Sequence, residues 1–208
     1  MKRILLSLIM MTMILVSSTS YAIERNSIIA VMDFGTRPGA SDNEISLNQA
    51  EYITSEYVID RLVNDKCFQV IEKDFVMEQI KQANIKTAGL IDPDTAKIIG
   101  KILKVKYILY GNITNVSLSN VGTSIGGTGL TKSTVTAHIV GRVMDVDNGS
   151  ILYMVKGDGK SASTFTKVLG VFGGTISFGT YKVTQDSVHN AIQKAAYAMV
   201  DELNKKLR

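Results

Sequence analysis

DPDTAKIIGKILKVKYILYGNI, residues 92–113, changes from helical to strand period within one short stretch. Asp92 suits a helix N-cap, Pro93 the first helical position and Asp94 the first turn. Ile98, Ile99, Ile102 and Leu103 then recur at helical spacing. Tyr107 to Ile113 follows as a mostly apolar run, the signature of a buried strand. A helix feeding straight into a buried strand predicts helices packed on a sheet.

The same grammar extends in both directions. Upstream, Ile28 to Phe34 is a continuous apolar run and reads as a first strand. Gly35 to Asn43 is turn chemistry. Leu47, Ala50, Thr54, Val58 and Leu62 predict an amphipathic helix over about 46–64. Cys67 to Ile71 reads as a second strand, and Asp74 is placed to cap a helix carrying Val76, Met77, Ile80 and Ala83. Downstream, Val135, Ala137, Ile139 and Val143 alternate in a strand ending near Asp145. Asn148-Gly149 favours a tight hairpin, and Ile151 to Val155 is its return strand. Val188, Ile192, Ala195, Met199, Leu203 and Leu207 line one face of a terminal helix, with Lys205, Lys206 and Arg208 suited to its dipole. The order β-α-β-α-α-β-β-β-α predicts an α/β fold, an α+β sandwich with a mixed sheet.

Two segments fit this core poorly. Asn115 to Ser133 and Gly157 to Lys182 are rich in Gly, Ser and Thr, and neither contains proline. Loops this long are uncommon in compact domains. Long hairpins extending from the sheet are the alternative.

Lys2 and Arg3, the apolar run Ile4 to Val16 and the small residues before Ile23 predict a secretion signal over residues 1–22. The run is shorter than the roughly 20 residues of a membrane-spanning helix. Residues 23–208 then form the exported domain. Losing Lys2 and Arg3 takes two from 23 basic residues, against 19 acidic ones. That near balance, with no basic run, argues against nucleic acid as a partner. Cys67 is the only cysteine, among apolar neighbours, and reads as a small buried hydrophobe.

No catalytic constellation stands out. His138 and His189 lack metal-ligand spacing with the single cysteine. Asp33, at the end of the first strand, suits catalysis in many folds, but capping the next loop is the simpler role. Gly122 and Gly127 have phosphate-loop spacing, yet Thr128-Gly129 stands where Lys-Ser/Thr is needed. Gly157-Asp158-Gly159 lacks the third glycine of a dinucleotide fingerprint. Neither enzyme activity, metal nor cofactor is expected.

Four motifs, in this order, carry a family likeness: IAVMDF at 29–34, FQVIEK at 68–73, YILYGNI at 107–113 and VGRVMDVDNGSIL at 140–152. Together they resemble the CsgG-like family, the curli production assembly and transport proteins of bacterial outer membranes. The resemblance implies a homo-oligomeric ring in the outer membrane that passes a secreted protein cargo. Each subunit would hold a periplasmic α/β domain and lend two β-hairpins to a shared barrel. The two unexplained segments fall where those hairpins would, at 112–142 and 151–183. A transmembrane strand takes about 9–11 residues, which both segments can supply. Val116, Leu118, Val135, Ala137, Ile139, Phe165, Ile176 and Phe178 are the candidate membrane-facing residues on this reading, and Phe172 and Tyr181 add interfacial aromatics. The chain departs from the family in two places. No cysteine stands at the cleavage point to take a lipid anchor, and residues 35–45 lack the aromatics of a pore constriction. A soluble envelope domain that binds another protein, like the activators of peptidoglycan synthases, is the alternative.

Overall fold

The computed structural model describes residues 27–41, 45–47, 49–85, 91–125, 128–167 and 185–207. The first strand, β1 (Ile28–Val31), explains its own composition. Ile29 and Val31 enter one hydrophobic cluster, while Ala30 and Met32 enter another on the opposite face. A strand buried on both sides has no use for a polar alternation. β1 pairs in parallel with β3 (Gln69–Val70) on one side and β4 (Tyr107–Ile125) on the other. The short β2 (Gly35–Thr36) continues along β4. An antiparallel meander of β4, β5 (Thr128–Asp145) and β6 (Ile151–Lys167) completes the sheet, in the order β3-β1-β4-β5-β6.

Helices cover both faces. α1 (Ala50–Asp65) and the terminal α4 (Gln185–Lys206) supply one cluster, through residues such as Val58, Leu62, Ile192 and Met199. α2 (Lys73–Gln82) and α3 (Pro93–Leu103) supply the other, through Val76, Ile80, Ile99 and Leu103. The mixed α/β fold is that expected, and the element order differs from the expected one by the short β2, which lies in residues read as a turn.

Local chemistry sets the boundaries. Asp92 caps α3 as predicted: its carboxylate accepts from the Thr95 amide at 2.9 Å and the Thr95 hydroxyl at 2.6 Å. The cap of α2 is Glu72 rather than Asp74, accepting from the amides of Asp74 and Phe75 at 3.2 and 3.0 Å. α1 starts at Ala50, later than expected, because Gln49 turns left-handed at φ 59°. Between β5 and β6 the carboxylate of Asp145 holds the turn, accepting from the amides of Asp147 and Asn148. Gly149 takes the left-handed conformation there, at φ 75°.

The two Gly/Ser/Thr-rich segments are strand wherever they are described. β4 and β5 pair from Tyr107↔Asp145 out to Ile125↔Thr128, so the excursion expected at 112–142 is the outer part of one long hairpin. β6 runs to Lys167, within the span where the second excursion is expected, 151–183. Residues 168–184 lie outside the described residues. A bulge at Thr114 shifts the register between Ile113 and Asn115. It keeps Tyr107, Leu109 and Ile113 below it on the same face as Val116 above, so the apolar side changes from odd to even numbers.

Candidate functional site

The feature that stands out from a compact sandwich is the outer β4–β5–β6 ribbon. α4 lies along one face of it. Two glycines on β6 allow the approach: a Cβ built on Gly157 would run into the carbonyl of Ala195, and one on Gly159 into the carbonyl of Ala191. Ser161 and Ser163 continue the small-residue stripe, with Ser163 Oγ 3.2 Å from Ser187 Oγ at the start of the helix.

This helix corrects part of the membrane-facing assignment. Val116, Val135, Ala137 and Ile139 are at most 2 % exposed, in one cluster with Ala191, Ala195 and Met199. Leu118 is half-buried against the same cluster. In this conformation Val116, Val135, Ala137 and Ile139 are core and present no face to lipid, while Leu118 keeps part of its surface exposed. Alternation records only that one face of a strand is dry, and a helix dries it as well as a bilayer does. Phe165 lies in β6, opposite Thr131. Ile176 and Phe178 lie outside the described residues.

Past Leu118 the ribbon outruns the helix. Ser119, Asn120, Gly122, Lys132 and Thr164 are exposed, and Val121 is 67 % exposed. Val121 is odd-numbered and so falls on the opposite face from Val116 and Leu118, outside the alternation that singled those two out. The far face of β5 and β6 is polar, and there His138 Nδ1 meets Asp158 at 2.5 Å.

Two further clusters were not anticipated. At the end of β1, Asp33 does more than cap a loop. Its carboxylate accepts from Ser55 Oγ at 2.9 Å and pairs with Lys73 Nζ at 2.9 Å. Lys73, 7 % exposed, also meets Glu56 at 3.3 Å, Ser55 Oγ at 2.5 Å and the Tyr52 ring at 3.5 Å. A serine beside a lysine is the pattern of a nucleophile and its base. Here Ser55 has no exposed surface and donates within the cluster, so no substrate reaches it. The group ties α1 and α2 to β1, and nothing in the spacing of these residues announces it.

The second cluster joins α1 to α4. Arg61 Nη2 lies 2.7 Å from Asp201, the Tyr197 hydroxyl donates to Asp60 at 2.5 Å, and Asn204 donates to Asp65 at 2.5 Å. The bond to Asp201 raises the Arg61 pKa, and the bond to Asp60 raises that of the Tyr197 hydroxyl. Beside them a cleft of about 320 Å³ is lined by Arg61, Asp65, Asp201, Asn204 and the half-buried Cys67. Cys67 is thus less enclosed than expected.

Among the described residues no three His, Cys, Asp or Glu side chains gather as a metal site. No described helix is long and apolar enough to cross a membrane, which leaves strands untested.

No curated protein matches the chain. Solved structures do, at low identity. They include the lipoprotein GNA1162 from Neisseria meningitidis (18 % identity, 66 % of this chain and 84 % of that one, TM-score 0.49). The C-terminal domain of LpoB from Escherichia coli also matches (17 %, 72 % and 91 %, TM-score 0.44), as does a PelC dodecamer from Paraburkholderia phytofirmans (12 %, 89 % and 94 %, TM-score 0.37). Residues 11–208 match the family described as the curli production assembly/transport component CsgG, so the chain belongs to the CsgG family of envelope-associated transport components.

Proposed function

We propose that this chain is the subunit of a homo-oligomeric ring in the bacterial outer membrane that passes secreted protein, with the outer β4–β5–β6 ribbon and residues 168–183 forming its share of a common barrel. The observation that carries this is the ribbon's continuation past the helix that covers it.

Strand direction supports the same reading. β4 and β6 both run outward from the core and β5 runs back. A ring of antiparallel strands needs an even number per subunit. The second hairpin expected at 151–183 would supply the fourth. Val116, Val135, Ala137 and Ile139 are covered by α4 in this conformation. The register puts Val121, beside Lys132, and Phe165, opposite Thr131, on opposite faces of the ribbon, so lipid contact on this reading moves outward to one of those two faces, with Ile176 and Phe178.

A second reading is favoured by one observation. Ser119, Asn120, Gly122, Lys132, Ser133 and Thr134 are polar or small and give the ribbon no continuous apolar band. A ribbon of that kind suits an envelope domain that binds another protein without forming a pore.

Envelope fractionation of the mature protein, with chemical crosslinking in intact cells, separates the two. The channel requires crosslinked multimers in the outer-membrane fraction. Recovery solely as a soluble monomer overturns it, and soluble multimers favour the binding domain.

A further inference from the structure

β6 is the last strand of the described sheet, and an edge strand offers unpaired N–H and C=O groups to any other chain. Its even-numbered residues turn those groups away from β5. Three side chains of α4 take them up. Glu202 accepts from the Lys156 amide at 2.6 Å. Lys206 donates to the Met154 carbonyl at 3.0 Å, and Lys194 to the Lys160 carbonyl at 3.1 Å. Lys206 is also paired with Glu202 at 3.3 Å.

The match is one of pitch. Lys194, Ala198, Glu202 and Lys206 form an i, i+4 stripe. From Lys194 to Glu202 the helix rises about 12 Å, and from Glu202 to Lys206 about 6 Å. From Lys160 to Lys156 the strand covers about 13 Å, and from Lys156 to Met154 about 7 Å. The helix therefore delivers a polar group to the strand edge along its inner half. The next stripe positions outward, Asn190 and Asp186, make no bond to Ala162 or Thr164 among the described residues.

β4 is closed at the same end by other means. β2 pairs with Asn112 and Ile113, and the Val116 amide donates to Ala40 at 2.5 Å. From Ser119 outward β4 has no strand neighbour on that side among the described residues. Among the described residues both edges are shut near the core and neither has a strand neighbour on the ribbon. With the second hairpin of the proposed ring completed, the joining edges are β4 and the strand beside β6, both at one end. Head-to-tail contacts between such edges make a ring where the rotation between copies closes.

We infer that Lys194, Glu202 and Lys206 hold the inner edge of β6 shut against strand addition by a second copy of this chain, so that copies join through the ribbon alone. Without them an incoming strand could settle at several registers along β6, and head-to-tail contacts at variable height give open filaments. The place of the join rests on the ring proposed above; the closure of the inner edge does not.

Amide hydrogen exchange and sedimentation of the mature protein test this. In E202A the Lys156 amide exchanges at least about tenfold faster than in wild type, with neighbouring β5 amides unchanged. The triple variant K194A/E202A/K206A forms polydisperse, thioflavin-positive assemblies. A charge-matched control, K81A/E78A/K101A, sediments as wild type does. An unchanged Lys156 exchange rate overturns the inference, as does a triple variant with the wild-type size distribution. Should the triple variant fail to fold, the single E202A exchange measurement decides. A wild-type monomer beside an associating triple variant upholds the closure and removes the ring.

Discussion

Gly159→Ala is the sharpest test of how the ribbon is held to the domain. A Cβ at this position meets the carbonyl of Ala191 and the amide of Ala195, and lies 3.0 Å from Lys194 Cβ. Two of these neighbours are helix backbone, which cannot turn aside as a side chain does. α4 must lift, and it covers Val116, Ala137 and Ile139 beneath it. Overpacking of this kind costs about 1–3 kcal/mol. Replacing glycine within a strand returns about 0.5–1 kcal/mol. With helix backbone as the obstacle the upper half of the overpacking range applies, about 2–3 kcal/mol, so the net loss is about 1–2.5 kcal/mol, which at a urea slope near 2 kcal/mol/M lowers the midpoint by about 0.5–1.3 M. Urea titration of the mature protein, followed by circular dichroism, measures it. Thr164→Ala, exposed on the same strand, serves as the control and stays within about 0.5 kcal/mol. A Gly159→Ala protein that unfolds at or above the wild-type midpoint with an unchanged slope refutes the close approach of helix to strand.

Three further outcomes follow from the geometry. Lys73→Met leaves Asp33 and Glu56 beside an apolar chain. Breaking a fully buried pair costs about 3–5 kcal/mol, and since both carboxylates are partly exposed the loss measured by urea titration falls below that range. Tyr110→Phe removes a buried hydroxyl that has no hydrogen-bond partner among the described residues, and raises stability by up to about 1 kcal/mol in urea titration. Burial raises the Tyr110 pKa and the bond to Asp60 raises that of Tyr197. A raised tyrosine stabilises the fold below its unfolded value of 10.0, and that contribution is lost as pH rises through the folded value. Urea midpoints recorded from pH 8 upward should therefore fall less steeply in Tyr197→Phe than in wild type. Val121→Arg places a charge on the exposed ribbon. If Val121 meets lipid, insertion loses about 2–4 kcal/mol near the midplane, and the membrane fraction falls on flotation while the soluble fold is retained.

How much of this was legible beforehand depended on whether a pattern had one physical cause or several. Ile29 to Phe34 and the Asp92-Pro93-Asp94 cap each had one, and both elements stand where they were expected. Val135, Ala137 and Ile139 had two. A strand dried by a helix and one dried by lipid share the same alternation, and only the partner distinguishes them. That partner is α4, whose inward face was visible in Ala195 and Met199, but nothing local tied it to β5. Gly157-Asp158-Gly159 was weighed as a nucleotide fingerprint because glycine pairs suggest loops, whereas here their missing Cβ atoms admit a helix backbone. The Asp33–Ser55–Lys73 cluster joins three elements through contacts distant in sequence, and no spacing rule reaches it.

The bulge at Thr114 sets how the two halves of the ribbon divide their work. Were Thr114 held in regular alternation rather than bulged out, Val116 and Leu118 would fall on the face opposite Leu109 and Ile113, and α4 would meet Ser117 and Ser119. Bulging that one residue out therefore keeps the lower ribbon dry against the helix. Past α4 that same face carries Asn120 and Gly122, while the opposite face carries Val121. That face also carries Lys132, directly across from Val121, and Thr164 beyond it, so neither face is apolar at the level where the helix ends. The ring proposed above is therefore supported by the ribbon's length and strand directions, not by its polarity.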